Sequence, residues 1–399
     1  MIELLIPLAL GLIFGCVCGL IPGLHPNNLI IFVPVLLMLF DPLPAAILLL
    51  TAGVVNSFVS MVPSILLGAP EDAEALGVLP GHRLLMEGRG YEAVKLTVKG
   101  SLGGMLFALG TLPLFFFLIP PVYEFIKPLT HWLLILVVFY MIFTESGAKS
   151  KIFALLIVLS SGILGILSLG YSDAMIFPLL SSLFGLPLLL TAIFKKTKLP
   201  TKFTEDEDKI ENKRLFSSVS TGSLAGIITG MLPGVGSAQA TILAQKLSGK
   251  GDGRDFLMSI GAVTTSNVIY SLLALWLIGK ARSGIAIAVG EMITLDFEYV
   301  LIFLATIVIA SAFASVATLK LTRPTLFLLK RLDYKTINIL MILLMLILIF
   351  LFSGFMGLFV AAIGISIGLI PNYVEIKRTH CMGCLVIPII IYYLSASLS

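Results

Sequence analysis

Two proline-glycine pairs, Pro22-Gly23 and Pro233-Gly234, are the residues of this chain whose type and spacing best suit binding chemistry. Proline lacks an N–H and glycine tolerates unusual backbone angles, so each pair should break a helix. The helix that restarts after a break presents unpaired N–H groups and a positive dipole end, both of which favour an anion. The two pairs therefore predict a site for a negatively charged ligand.

Polar side chains near each pair complete the candidate site. Asparagine is costly to bury without a hydrogen-bond partner, which makes Asn56 and Asn267 the strongest side-chain candidates. Serine and threonine hydroxyls in membrane helices often bond their own backbone, which is the structural alternative for these residues. His25 could titrate with a coupled proton, contact the anion or serve as a hydrogen-bonded structural residue. The predicted substrate-binding set is Gly23, Leu24, His25, Asn27, Asn28, Asn56, Ser57, Gly234, Val235, Gly236, Ser237, Gln239, Ser266 and Asn267.

The composition indicates that these residues lie in a membrane. Of the 399 residues, 58% are hydrophobic and 12% are charged, whereas a soluble domain carries about 25% charged residues. The apolar runs are long enough to cross a hydrocarbon layer of about 30 Å as helices. The chain begins MIELLIPLAL, with an acid and no basic segment, so we do not expect a cleaved signal peptide. A net charge of +4 gives no support for nucleic-acid binding. We expect an all-α, multi-pass protein of the cell membrane.

An internal duplication organises the chain. Seven residues recur at an offset of 211 positions, and glycines spaced by four among them should let helices approach closely. The matching pairs are Gly11/Gly222, Gly15/Gly226, Gly19/Gly230, Pro22/Pro233, Gly23/Gly234, Asn56/Asn267 and Gly68/Gly279. The predicted units are residues 1–194, a polar cytoplasmic linker at 195–215, and residues 216–399.

Loop charge predicts that the two copies are inverted. Lys and Arg accumulate on the cytoplasmic side, and the linker holds seven basic residues. The stretch after Gly68 carries four basic residues, whereas its counterpart at 280–298 carries two against three acids. Five membrane-spanning helices in each copy would place the basic stretches on the cytoplasmic side. They are predicted at 44–68, 100–119, 130–146, 152–169 and 175–194, then 257–279, 299–319, 336–352, 354–371 and 382–396.

With five spans in each copy, segments 4–40 and 216–246 should each begin and end on one side as re-entrant hairpins. Paired helix breaks in two inverted halves are a sequence indicator of the binding site of a secondary transporter. Enzymatic chemistry has little support, since the four histidines are scattered and the GxxxxGK[ST] loop is absent. We read the four cysteines as small apolar residues and expect neither a metal nor another cofactor, with Na⁺ or H⁺ as the coupling ion.

Two glycine motifs carry a family resemblance: Gly19-x-x-Pro22-Gly23 and Gly230-x-x-Pro233-Gly234-Val235-Gly236, together with Gly68-Ala69-Pro70. The stretch LPGHRLLMEGRGYEAV at 79–94 is similar to a cytoplasmic loop of the same family, with Gly81 and Gly88 at the matching glycines. The chain resembles the TctA family, the large permease subunit of tripartite tricarboxylate transporters. The resemblance implies a tricarboxylate-type substrate, ion coupling, a small membrane subunit and an extracytoplasmic binding protein.

Two other functions remain open at this stage. Translocases of polyprenyl phosphate resemble the chain in having paired Pro-Gly re-entrant tips, and a helix-end anion site suits phosphate as well as carboxylate. A non-transporting membrane scaffold is the alternative from another class. The expected partners are a small anionic substrate and membrane lipid, with no nucleic acid, and the oligomeric state, a homodimer included, is open.

Overall fold

The computed structural model describes residues 2–21, 33–66, 78–194, 210–231, 253–280, 283–331 and 334–398. These residues form helices and turns, without a strand among them. The α-helices are α1 (Ile2–Leu20), α2 (Val33–Leu39), α3 (Pro42–Val59), α4 (Met61–Leu66), α5 (Val78–Met86), α6 (Gly90–Ile126), α7 (Thr130–Phe143), α8 (Ala148–Tyr171), α9 (Ile176–Leu180), α10 (Leu186–Phe194), α11 (Asn212–Met231), α12 (Gly253–Ile278), α13 (Gly284–Met292), α14 (Phe297–Arg331), α15 (Tyr334–Val374) and α16 (Gly383–Leu398). A π-helical turn, Ser181–Gly185, joins α9 to α10, and 3-10 turns lie at Lys127–Leu129, Asp173–Met175 and Arg378–Met382.

The helices confirm the expected all-α membrane protein. Within the described part of the chain, nine helical stretches are long and apolar enough to cross a membrane. Eight of them coincide with predicted spans, as with Ala148–Tyr171 for the span predicted at 152–169. The ninth, Glu3–Leu20, lies in segment 4–40, which was predicted as a re-entrant hairpin, and the span predicted at 130–146 is the shorter helix His131–Phe143. Side chains such as Phe117, Leu167 and Phe355 are exposed on the outer surface of the bundle, where lipid replaces water as the solvent. Hydropathy therefore predicted the spans well.

Two helices extend far beyond the predicted spans. α6 contains 37 residues and α14 contains 35, which correspond to about 50–55 Å at 1.5 Å per residue and exceed the hydrocarbon thickness. Segment 79–94, which the family resemblance treats as a loop, is largely helical and contains α5 and the first turn of α6. Hydropathy detects only the part of a helix that lies in lipid, so these polar extensions escaped the sequence analysis.

α15 is two helices joined at Gly354, whose backbone angles (φ 61°, ψ −158°) are non-helical. A Cβ built on Gly357 would lie 3.3 Å from the carbonyl oxygen of Ile349. In a continuous helix these residues, eight positions apart, would be separated by about 12 Å along the axis. The chain therefore folds back at Gly354, and the segments before and after it correspond to the two spans predicted at 336–352 and 354–371.

Helices from the first half of the chain pack against helices from the second half. α12 packs along α6, and in the same way α3 packs along α14. Further along the chain, α8 packs against α16 while α10 packs against α15. Each pair combines one helix from the first half with one from the second. The core is therefore a joint product of both halves.

Candidate functional site

The first half of the candidate site is the tight pairing of α1 with α3. A Cβ on Gly15 would lie 2.6 Å from the carbonyl oxygen of Ala52, closer than real Cβ atoms approach, so only glycine fits. Successive glycines along α1 contact successive residues along α3, which shows that the two helices run in the same direction. The contact pairs are Gly11 with Leu48, Gly15 with Ala52 and Gly19 with Asn56.

α11 and α12 repeat this arrangement in the second half. Every partner lies 211 residues after its equivalent in the first half, so the sequence duplication is also a duplication of contacts. The predicted role of these six glycines in close helix packing is confirmed. The contact pairs are Gly222 with Ser259, Gly226 with Val263 and Gly230 with Asn267.

Asn56 and Asn267 occupy equivalent positions beside the last turns of α1 and α11. The carbonyl oxygen of Asn56 lies 3.2 Å from a Cβ built on Gly19, and Oδ1 of Asn267 lies 3.4 Å from one built on Gly230. The Asn56 side chain is fully buried. Among the described residues, no hydrogen-bond donor reaches the buried Oδ1 of Asn267. α3 and α12 also contact each other, so the two asparagines lie on neighbouring helices.

The two predicted serines bond their own helices. Ser57 Oγ donates to the Val54 carbonyl oxygen at 2.7 Å, and Ser266 Oγ donates to the Ala262 carbonyl oxygen at 2.6 Å. These bonds satisfy hydroxyl groups that would otherwise be costly to bury. A hydroxyl oxygen that donates can still accept, so the bonds leave the predicted ligand role of both serines untested.

A tyrosine contact that the sequence analysis missed lies next to Asn267. Tyr270 is fully buried, and its hydroxyl group lies 2.8 Å from Thr111 Oγ1 of α6. Its Cβ is 3.1 Å from a Cβ built on Gly230, and its ring packs edge-on against Phe115 at 5.2 Å. Tyr270 therefore connects α6 of the first half to the end of α11. Its partner Thr111 is 159 residues away, and no local pattern marks it.

The beginnings of α11 and α12 are held together by an ion pair. Arg214 donates to both carboxylate oxygens of Asp255, at 2.7 and 3.1 Å, and Ser218 Oγ donates to the same group at 3.0 Å. Asp255 is 7% exposed. Bidentate Arg–carboxylate geometry is among the stronger polar contacts in proteins. The pair confirms independently that the two helices begin at the same end of the bundle.

The remaining predicted site residues lie outside the described part of the chain. They include both helix-break pairs, which directly follow α1 and α11 in the sequence. Within the described ranges, no group of three or more His, Cys, Asp or Glu side chains is placed to hold a metal ion. The residues concerned are Pro22, Gly23, Leu24, His25, Asn27, Asn28, Pro233, Gly234, Val235, Gly236, Ser237 and Gln239.

Comparison with known proteins relates nearly the whole chain to a known family. The family model of the tripartite tricarboxylate transporter TctA family matches residues 5–383. An uncharacterized protein of Methanocaldococcus jannaschii, MJ1079, is 30% identical over 403 residues, which cover 98% of this chain and 99% of that protein. No solved structure matches the chain. The family match spans both glycine-packed helix pairs and the long helices between them, and the chain belongs to the tripartite tricarboxylate transporter TctA family.

Proposed function

We propose that this protein is the permease of an ion-coupled secondary transporter in the cell membrane, with a tricarboxylate as its substrate. The observation that carries the proposal is the repeated contact set that places Asn56 beside Gly19 and Asn267 beside Gly230. Membership of a tricarboxylate transporter family supports this class of substrate. In the proposal, both asparagines contribute to one anion site near the middle of the bilayer.

The direction of the paired helices supports a re-entrant path at each break. α1 and α3 run in the same direction, so the connection between Leu20 and Pro42 must begin at one end of the pair and finish at the other. The same reasoning applies to α11 and α12, whose first turns are joined by Arg214 and Asp255. In the sequence, each Pro-Gly pair belongs to one of these connections, and paired helix breaks of this kind support a substrate position there.

Contacts between turns support an inverted arrangement of the two halves. Glu145, between the third and fourth spans of the first half, bonds His380, between the fourth and fifth spans of the second. Reciprocally, Ser353 of the second half donates to the Ala174 carbonyl oxygen of the first at 2.7 Å. Within each half, the fourth span lies between the turn that follows the third span and the turn that precedes the fifth. These two turns therefore lie on opposite sides of a membrane. Such cross-contacts are those expected of two halves with opposite orientations, and they support the proposed inversion.

The proposed chemistry is capture of carboxylates by backbone N–H groups and amide side chains. After each break, the N–H groups of a restarting helix would face the anion, and its dipole adds attraction. The Asn56 and Asn267 amides could donate to carboxylate oxygens from the two halves. A Na⁺ or H⁺ gradient would drive uptake. A small membrane subunit and an extracytoplasmic binding protein would complete the transporter.

A ligand screen on the purified full-length protein tests this proposal. Thermal unfolding would be followed with citrate, shorter dicarboxylates and a short-chain polyprenyl phosphate, each with and without Na⁺. A ligand that binds only the folded state raises the midpoint as its concentration exceeds Kd. We expect citrate to give the largest shift. Stabilisation by the polyprenyl phosphate alone would favour a lipid-phosphate translocase, and no shift with any anion would favour a scaffold.

A further inference from the structure

A cavity of about 660 Å³ lies where α5 and the start of α6 meet the start of α12. Three arginines line it: Arg83 and Arg89 from the first half and Arg254 from the second. Glu87 contributes a negative charge, and Leu84 contributes apolar surface. The volume falls within the range of about 300–1,000 Å³ that is usual for small-molecule sites. Both halves of the chain thus contribute cations to one cavity.

A buried carboxylate positions two of these arginines. Glu92 Oε2 accepts from Arg89 Nε at 2.6 Å, and Glu92 Oε1 lies 3.3 Å from Arg254 Nε. The Glu92 side chain is only 3% exposed, whereas the side chains of Arg89 and Arg254 are 24% and 18% exposed. The hydrogen bond from Arg89 Nε orients the Arg89 guanidinium group, whose five donors form a rigid fork, while Arg254 is held by an ion pair.

The arginine side chains of the cavity suit an anion. Among the described residues, three arginines and one carboxylate, Glu87, line it, and Glu92 lies beside Arg89 and Arg254. Arg83 is exposed at the cavity. Arginine is the residue best suited to carboxylate and phosphate groups because its planar fork can donate two parallel hydrogen bonds.

We propose that this cavity is a second ligand site, which binds an oxyanion, either a carboxylate or a phosphate group. Arg83 would supply the direct contact, while Glu92 holds Arg89 and Arg254 in place on either side of the ligand. The site is separate from the asparagine pair, and its existence does not depend on the proposed transport function. If that function holds, the cavity offers the anion a binding position at the end of the bundle where α12 begins.

The test measures anion binding to the purified full-length protein in a background that carries both Asn56→Ala and Asn267→Ala. This background removes the side chains proposed for the central site, so binding that remains reports on the cavity. The probes are citrate, inorganic phosphate, and lipid nanodiscs with or without phosphatidylglycerol, read by calorimetry or thermal shift. Arg83→Gln is the test variant. The matched control is Lys149→Gln, which removes an exposed cation from the first turn of α8, outside the cavity.

We expect saturable binding of citrate or phosphate, weakened at least about tenfold by Arg83→Gln, as for loss of a hydrogen bond to a charged group, and unchanged by Lys149→Gln. If only the nanodiscs with phosphatidylglycerol bind, and Arg83→Gln but not Lys149→Gln weakens that binding, the result would support the site and identify a lipid headgroup as the source of the oxyanion. Equal affinity in Arg83→Gln, or no saturable binding of any probe, would overturn the inference. Failure of citrate uptake by the wild-type protein would count against the proposed transport function and leave this result unaffected.

Discussion

Glu145 and His380 are separated by 235 residues, and His380 Nε2 lies 2.9 Å from Glu145 Oε1. The His380 side chain is fully buried, and the Nζ of Lys377 lies 3.4 Å from the same carboxylate oxygen. This contact fastens the turn between α7 and α8 to the turn between α15 and α16. It is a polar connection between the two halves at the ends of their membrane spans.

The Glu145 contact predicts a pH-dependent contribution to stability. Burial raises the pKa of Glu145, but the hydrogen bond with His380 and the charge of Lys377 outweigh it, so the pKa lies below its ordinary value. A carboxylate whose pKa is lowered in the folded state contributes its full stabilisation to the protein at pH values above its unfolded-state pKa of about 4.3. This contribution is lost as the pH falls through the folded-state pKa. Glu145→Gln should therefore lower stability by about 1–3 kcal/mol near pH 7.

Thermal unfolding of the wild type and the variant between pH 8 and pH 4 would measure this difference. The gap between the two midpoints should be constant above about pH 7 and shrink at the acid end, where Glu145 takes up a proton. Between these limits it should widen, because burial lowers the pKa of His380, the bond with Glu145 opposes that shift, and the variant loses the opposing effect. Glu298→Gln, at an exposed position in the first turn of α14, is the control and should show only the small effect, under about 1 kcal/mol, of losing a carboxylate from a helix N-terminus. A gap for Glu145→Gln that does not change with pH would rule out a charge-based contribution.

The tight pairing of α1 with α3 predicts a strong contrast between two glycine-to-alanine changes. In Gly15→Ala the new methyl group would lie 2.6 Å from the Ala52 carbonyl oxygen, which is backbone and cannot move aside. We expect a loss of about 1–3 kcal/mol. In Gly110→Ala on α6, nothing lies within 4 Å of the new group, and the better helix propensity of alanine should leave stability unchanged or raised by up to about 1 kcal/mol. Equal unfolding midpoints for the two variants would contradict the observed packing.

The sequence predicted the parts of the fold that repeat or that face lipid. The offset of 211 residues paired Asn56 with Asn267, and the contacts of Gly19 and Gly230 reproduce that pairing. The spans were found because long apolar runs are obligatory in a bilayer. The membrane-spanning part of α6 was predicted at 100–119, but its start at Gly90 was not, because polar helical turns outside lipid have no hydropathy signal.

Contacts between distant polar residues escaped prediction for a different reason. Tyr270 with Thr111 and Glu145 with His380 join segments from opposite halves of the chain. Their pairing depends on how the helices pack, and no local spacing of residues in the sequence indicates it. Glu92 is intermediate, since its position three residues after Arg89 suggests a helical pair, while its contact with Arg254 comes only from the fold.

The proposed inversion predicts which positions can be labelled from each side of the membrane. Single cysteines would be introduced at exposed residues of a variant lacking the native cysteines, then treated with a membrane-impermeant maleimide in intact cells and in inverted vesicles. Lys149→Cys and Glu375→Cys should react from the cytoplasmic side, and Tyr171→Cys and Glu298→Cys from the opposite side. Labelling of Lys149→Cys and Glu375→Cys from different sides would mean that the halves run parallel.

The central claim is that one anion site uses both asparagines, and citrate uptake into proteoliposomes tests it most directly. Wild-type protein should accumulate citrate along an imposed Na⁺ or H⁺ gradient, and Asn56→Ala and Asn267→Ala should each reduce the rate at least about tenfold, as for lost hydrogen bonds to a charged ligand. The control is Asn372→Ala, whose side chain bonds Thr191 and Arg378 elsewhere in the bundle and should retain uptake per folded molecule. Citrate uptake at the wild-type rate in folded Asn56→Ala and Asn267→Ala proteins would contradict the account.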